Sequence, residues 1–147
     1  LLDQAITFSG QGEIKTEDIK EILGLVEIKL VQEFTDFLCQ KKASEAINFL
    51  NEIANRGSDL QEFTKTLINY LRQAMILKII GGENPILAGL TNEEFQKLQN
   101  QAENFKEEEL KNILNLFLDA ENKMRYSPIP QLPLELAIIE ALKIEEK

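Results

Sequence analysis

Chemistry at neutral pH needs groups that shuttle protons, hold metals or attack electrophiles, and this chain of 147 residues arranges few of them for that work. It contains no histidine. That removes the commonest general base and the commonest zinc ligand, and it leaves no Ser-His or Cys-His nucleophile. The single cysteine, Cys39, has no partner for an internal disulfide. It lies in Phe37-Leu38-Cys39, where a small buried hydrophobe is the simplest reading. A reactive thiol would need a cation at helical spacing, for which Lys42 is the one candidate. The densest acidic cluster is Glu107-Glu108-Glu109. Adjacent residues diverge around a helix and do not converge on one ion, whereas three acids in a first turn suit the helix dipole. Glu93-Glu94 has the same explanation, and Asp3 and Glu121 lack a partner at ligand spacing.

Gly10-Gln11-Gly12 lacks the lysine-serine ending of a phosphate loop and follows no strand, so it reads as a turn between helices. Pro130 and Pro133 match the minimal polyproline-ligand spacing, but a stiff connector between two helices accounts for them. One segment keeps its interest. Arg125, Tyr126, Ser127, Pro128 and Pro130 join an arginine and an aromatic to a stiff loop, residue types enriched in protein interfaces. These five are the candidate interface residues. No catalytic, cofactor or metal residue is predicted.

The elements that must position this segment are almost all helical. Leu1, Leu2, Ala5, Ile6 and Phe8 follow a helical spacing with no cap ahead of them, which predicts that the chain is a piece of a larger protein. Thr16 is placed to cap a short helix that Gly24 ends. Further helices are predicted over about 27–40 and 43–56, the second stopped by Gly57. A long one follows from a capping box at Ser58-Asp59-Leu60-Gln61 to Gly81-Gly82. Its last turns, Ile76 to Ile80, are apolar on every side, which suits a central helix or a partner-facing one. Pro85 marks a turn. Thr91 and Glu94 form a second capping box, with Leu90 and Phe95 at staple positions. A helix over about 106–126 leads to the proline run 127–133, which is predicted to be non-helical. Pro133 then suits the first turn of a last helix over about 134–144, apolar on more than one face.

No convincing period-2 strand is present, and helix lengths vary too much for a strict repeat array. The fold class is therefore all-α: a bundle of about five or six main helices, preceded by two short ones. A 44% hydrophobic and 28% charged composition suits an ordinary globular domain. No apolar run approaches a membrane span, and no secretory signal pattern is present. The net charge of −9, with sixteen scattered Lys and Arg, argues against this segment gripping a phosphate backbone. From the residues alone, the prediction is a helical interaction module without an active site of its own.

The order of segments resembles a known family. Leu1-Leu2-Asp3-Gln4-Ala5-Ile6-Thr7-Phe8, Ile14-x-Thr16-Glu17-Asp18-Ile19 and Ile22-Leu23-Gly24-Leu25-Val26 resemble the end of the AAA+ lid in bacterial DNA polymerase III subunit gamma/tau. Arg56-Gly57-x-Asp59-Leu60-x-x-Phe63, Leu67-x-x-Tyr70-Leu71-Arg72, Leu90-Thr91-x-Glu93-Glu94 and the tail Arg125-Tyr126-Ser127-Pro128-Ile129-Pro130 are similar to that family's next domain. The resemblance implies a clamp-loader subunit, part of the DNA polymerase III holoenzyme, whose ATPase modules open the sliding clamp during DNA replication. Residues 1–24 would be the remnant of the lid. Residues 25–147 would be the helical collar, or oligomerisation, domain.

The implied partners are other gamma/tau copies and the delta and delta-prime subunits, with a homo-oligomer possible, and the implied location is cytoplasmic. No direct contact with nucleic acid or membrane is implied for this segment. The family's phosphate loop, magnesium-binding acid box, zinc-binding cysteines, trans-acting arginine and sensor arginine would lie upstream. No cofactor is thus expected in this chain, with ATP, magnesium and zinc confined to upstream domains. Where relatives often carry arginine after the second proline of the tail, this chain has Gln131, so a contact specific to that arginine is not carried over. The alternatives are an unrelated helical scaffold, the collar of a delta or delta-prime subunit, or an enzyme activity separate from the parent ATPase.

Overall fold

A computed structural model describes the backbone of residues 16–142 and the side chains of 27–142. The expected helix at Leu1 to Phe8 and the turn at Gly10 to Gly12 lie outside the described residues. Those described form six α-helices and no strand: α1 Thr16–Cys39, α2 Ala43–Asn55, α3 Leu60–Ile79, α4 Asn92–Glu103, α5 Glu107–Met124 and α6 Gln131–Leu142. A single 3-10 turn, Pro85–Leu87, sits between α3 and α4 where Pro85 predicts one.

Local chemistry sets most of the boundaries. Gly57 takes φ +92°. The Ser58 N–H then reaches Ile53 O at 3.0 Å, and the Gly57 N–H reaches Ala54 O at 3.0 Å. These two bonds form the Schellman stop, and the left-handed backbone it needs favours glycine. Gly81 ends α3 at φ +119°, its N–H donating to Ile76 O at 3.1 Å. Thr91 and Glu94 exchange side-chain-to-backbone bonds of 3.0 Å each, the reciprocal box expected of them. Leu90 and Phe95 both pack half-buried against the core.

Four expectations need correction. Gly24 does not end a helix, because α1 runs through it as one 24-residue element. The span contains no proline, and a lone glycine inside a helix costs only about 1 kcal/mol relative to alanine. Thr16, expected as a cap, already lies inside α1, a shift of the size that fraying ends produce. The cap of α3 is Asp59 rather than Ser58. Ser58 completes the stop of α2, so the Asp59 carboxylate takes the N–H groups of Gln61 at 3.0 Å and Glu62 at 3.2 Å. Finally, α6 begins at Gln131 inside the proline run. Pro133 falls in its first turn, where backbone donors have no intrahelical acceptor and the missing N–H costs nothing.

The helices close around a cluster of phenylalanines. Phe34 of α1, fully buried, meets Phe63 of α3 edge-on at 5.5 Å and Phe117 of α5 at 6.1 Å, with Phe49 of α2 also at 6.1 Å. T-shaped pairs of this kind are worth about 0.5–1.5 kcal/mol beyond their buried area. α3 contacts α1, α4 and α5, which makes it central, as its apolar character predicts. α6 closes the bundle by lying across α5 and α2.

Candidate interaction surface

The predicted interface segment leaves the core at the end of α5. Met124 is the last buried residue there, and Arg125 caps the helix. The Arg125 guanidinium lies 3.6 Å from Glu121 Oε2, and Gln61 Nε2 donates to the same oxygen at 3.3 Å. Glu121 therefore has two partners, Arg125 one helical turn away and Gln61 at 60 residues' distance, the second beyond the reach of its sequence neighbourhood. Tyr126 is 85% exposed, so its ring has no place in the fold. The Ser127 hydroxyl donates to Ile129 O at 2.7 Å and accepts from Ile129 N at 3.2 Å, clamping the loop around an exposed Pro128. Pro130 and Gln131 line an open groove of about 400 Å³ together with Met124, Leu60 and Asp59. The five predicted residues are thus brought together, on the surface, as a stiff connector.

The larger feature adjoins them. On α6, Leu134, Ala137, Ile138 and Ala141 face inward and are buried. Leu132, Leu136 and Ile139 face outward at 41%, 58% and 48% exposure, and Ile129 in the preceding loop is 54% exposed. Spacings of i, i+4 and i+7 align the three helical residues in one stripe. The sequence signal for it was the apolar character of this helix on more than one face, but no individual residue of the stripe was singled out. A smaller patch marks the end of α3, where Leu77 is buried while Ile79 and Ile80 are exposed. The apolar last turns of α3 therefore serve the core and the surface together.

Elsewhere the polar groups serve the fold. Cys39 is a free, half-buried thiol whose Sγ lies 3.6 Å from Gln101 O. Burial, and then the Asp36 carboxylate, push its pKa up to about 12. The cations that act on it are Lys97 and Lys41 rather than Lys42, and they do not offset that rise. Gln101, only 3% exposed, was not anticipated. Its Nε2 donates to Gln32 O at 2.9 Å and to Asp36 Oδ1 at 2.8 Å, and its Oε1 accepts from the Tyr70 hydroxyl. Leu98, Gln101 and Ala102 share one stripe of α4, which was the available signal.

In the acidic cluster, partial burial pushes the Glu109 pKa up. The Lys106 backbone N–H at 2.8 Å and the Lys41 ammonium outweigh this and hold the carboxyl below the usual range. Among the described residues, no three His, Cys, Asp or Glu side chains gather as a metal site would require. No helix there is long and apolar enough to cross a membrane.

The described residues thus define an all-helical domain, with its buried polar side chains satisfied and an apolar stripe left on the outer face of α6. The comparison with known families narrows this description. Residues 14–146 match the model described as DNA polymerase III subunits gamma and tau domain III, and the chain belongs to that family. It is also similar to DNA polymerase III subunit tau of Bacillus subtilis (strain 168), 30% identical over 140 residues. That match covers 95% of this chain and 24% of the relative, so the chain spans about a quarter of the length of the curated protein it matches. An unrelated scaffold is thereby set aside, and so is the collar of a delta-type subunit.

Proposed function

We propose that this chain is the collar domain of a clamp loader, a non-catalytic module that holds subunits together while ATP-driven loading of the sliding clamp is carried out elsewhere in the assembly. Its partners would be other gamma/tau copies and the delta and delta-prime subunits, in the bacterial cytoplasm. Residues 1–24 would be the remnant of the AAA+ lid and 25–147 the collar. Nucleotide, magnesium and zinc would be bound outside this chain. Its net charge of −9 with scattered cations gives it no grip of its own on DNA.

The observation that carries this reading is the outward stripe Leu132, Leu136 and Ile139, continued by Ile129 and flanked by Tyr126. Aligned apolar side chains at half exposure have a solvation cost that a partner surface would relieve. Arg125, Tyr126, Ser127, Pro128 and Pro130 would form the rim of that contact.

Mixing the chain with delta and delta-prime and measuring mass by native mass spectrometry tests the proposal. A complex with at least one of them is expected. If neither binds and the chain stays monomeric at high concentration, the collar reading fails. An ATP titration of the isolated chain should show no binding, and measurable affinity would contradict the placing of the nucleotide site.

A further inference from the structure

A second apolar surface lies between α3 and α5. Gln61 donates to Glu121, and the Thr64 hydroxyl to the Met124 sulfur, so the start of α3 lies beside the end of α5 and the two helices are antiparallel. Along them runs an open groove of about 450 Å³, lined by Ile68 and Met75 of α3 and by Leu114 and Leu118 of α5. Leu118 is 48% exposed and Ile68 and Met75 are half-buried, so apolar surface stays open to solvent there. On α3 the apolar line continues past the groove. Ile68, Met75 and Ile79 stand at i, i+7 and i+11, and Ile79 is 42% exposed. The line covers about 16 Å of helix, or about three turns.

The charge of this groove runs against that of the chain. Its charged residues are Arg72 and Lys111, one cation from each helix, and no acid lines it. Both are exposed. Arg72 makes no ion pair among the described residues, and Lys111 has only an exposed pairing with Glu108 at 3.8 Å. The chain as a whole carries −9. A groove between two antiparallel helices suits a third helix, whose apolar anchors recur at i, i+3 or i+4, and i+7. Cations on both helices, beside an apolar line, select a helix with acids beside its own.

No helix with described side chains answers that description from within this chain. α6 has an outward apolar stripe, but its Glu135 already accepts from Asn51 Nδ2 at 3.0 Å, and its Glu140 is not free. We infer that the α3–α5 groove is a docking site for an acidic amphipathic helix of a different protein. The groove shares no residue with the α6 stripe or with the loop from Arg125 to Pro130, so this inference goes beyond the collar reading and does not depend on it.

The probe is a synthetic helix of about 15 residues, stapled to stay helical in water, with leucines at i, i+4, i+7 and i+11 and glutamates on either side of them. A twin carries lysines in place of the glutamates. In a chain of net charge −9, unspecific attraction favours the lysine twin, so only a local match can favour the acidic probe. By fluorescence anisotropy, the acidic probe should bind at least about tenfold more tightly than its twin. Arg72→Glu with Lys111→Glu should reverse that preference, and Leu118→Ser should weaken the acidic probe several-fold. All three positions are exposed, and circular dichroism with urea midpoints establishes that both variants fold. A twin that binds the wild-type chain as tightly as the acidic probe overturns the inference. So does a groove variant that keeps the wild-type preference. Two further outcomes overturn it by naming another occupant. One is displacement of the probe by a single-stranded oligonucleotide at equal concentration. The other is loss of self-association in the groove variant, which would assign the groove to a second copy. Delta or delta-prime captured by a wild-type chain that binds no probe would leave the collar reading standing.

Discussion

Gln101 and Leu136 occupy places that their chemistry would exchange: the amide is 3% exposed and the leucine 58%. Around Gln101, the seam of α1, α3 and α4 is polar on the inside. The outer face of α6 is apolar on the outside. The two inversions have different causes. Every polar atom at the seam finds a partner within the chain, from Gln32 and Asp36 to Tyr70 and Lys97. A network satisfied in that way fixes the register of three helices that apolar packing alone would let slide. The outward residues of α6, Leu132, Leu136 and Ile139, are left largely uncovered among the described residues. Inversion inside the bundle serves the fold, and inversion outside it is what the proposed collar role would use.

Substitution at the seam should produce the largest effect on stability. Gln101→Ala removes the amide that Tyr70 and Asp36 share and leaves a void between three helices. A loss of about 3 kcal/mol is expected, combining unpaired buried groups with a cavity. Urea denaturation measures it. A loss below about 1 kcal/mol would mean that water or a shifted side chain replaces the amide, and the seam would lose its claim to be a lock.

Tyr70→Phe is the sharper probe, with an expected cost of about 1.5 kcal/mol at neutral pH from the orphaned Gln101 oxygen. It also has a pH signature. Burial first, and Asp36 second, push the Tyr70 pKa above its ordinary 10.0, and Cys39 is raised from 9.0 to about 12. Both groups hold their protons more tightly in the folded state. As pH rises past 9 the unfolded chain releases protons first, so stability falls with pH in that window. Wild type should therefore lose stability above pH 9. The alkaline slope should be shallower for Tyr70→Phe and for Cys39→Ala. A wild-type curve flat up to pH 11 would contradict the burial of both groups.

How far these regions could be read in advance depends on the range of the chemistry involved. Thr91 with Glu94, and the stops at Gly57 and Gly81, were legible because each is settled within six residues. At Ser58 two motifs compete, the stop of α2 and the start of α3, which moves the cap one position on to Asp59. Gly24 departs from its expected stop because a glycine ends a helix only where the flanking chain turns, and α1 continues through it. The phenylalanine core was partly legible from helical stripes. The Gln101 network was not, since its partners lie 31 to 69 residues away and glutamine abounds in α4. For the interface, Arg125 to Pro130 stood out by residue type. The α6 stripe depends on tertiary packing: Leu134 and Ile138 fill the core and leave Leu136 and Ile139 outside, a choice the apolar sequence of this helix does not dictate.

A smaller effect separates buried from exposed polar pairs. Lys41 and Glu109 join the end of α1 to the start of α5, but a quarter to a third of each side chain is exposed. Glu109→Gln should cost only a few tenths of a kcal/mol at pH 7, as exposed pairs do. Because the folded-state pKa is lowered, that contribution is present above the usual carboxylate range and is lost as pH falls through the folded value. A cost matching that of Gln101→Ala would erase the distinction between a locked seam and a surface pairing.

The smallest effect on stability is expected at the other pole of the comparison. Leu136→Ser removes a side chain that is more exposed than buried, and the urea midpoint should move by no more than the equivalent of about 0.5 kcal/mol. The neighbouring Leu134→Ser, at full burial, should cost several times as much, because it opens a cavity and buries a hydroxyl. Self-association should behave in the reverse order at matched folded fractions, with Leu136→Ser the weaker associator. If Leu136→Ser instead destabilised the chain as Leu134→Ser does, the stripe would belong to the core of this fold. The outer face of α6 would then have no claim on a partner.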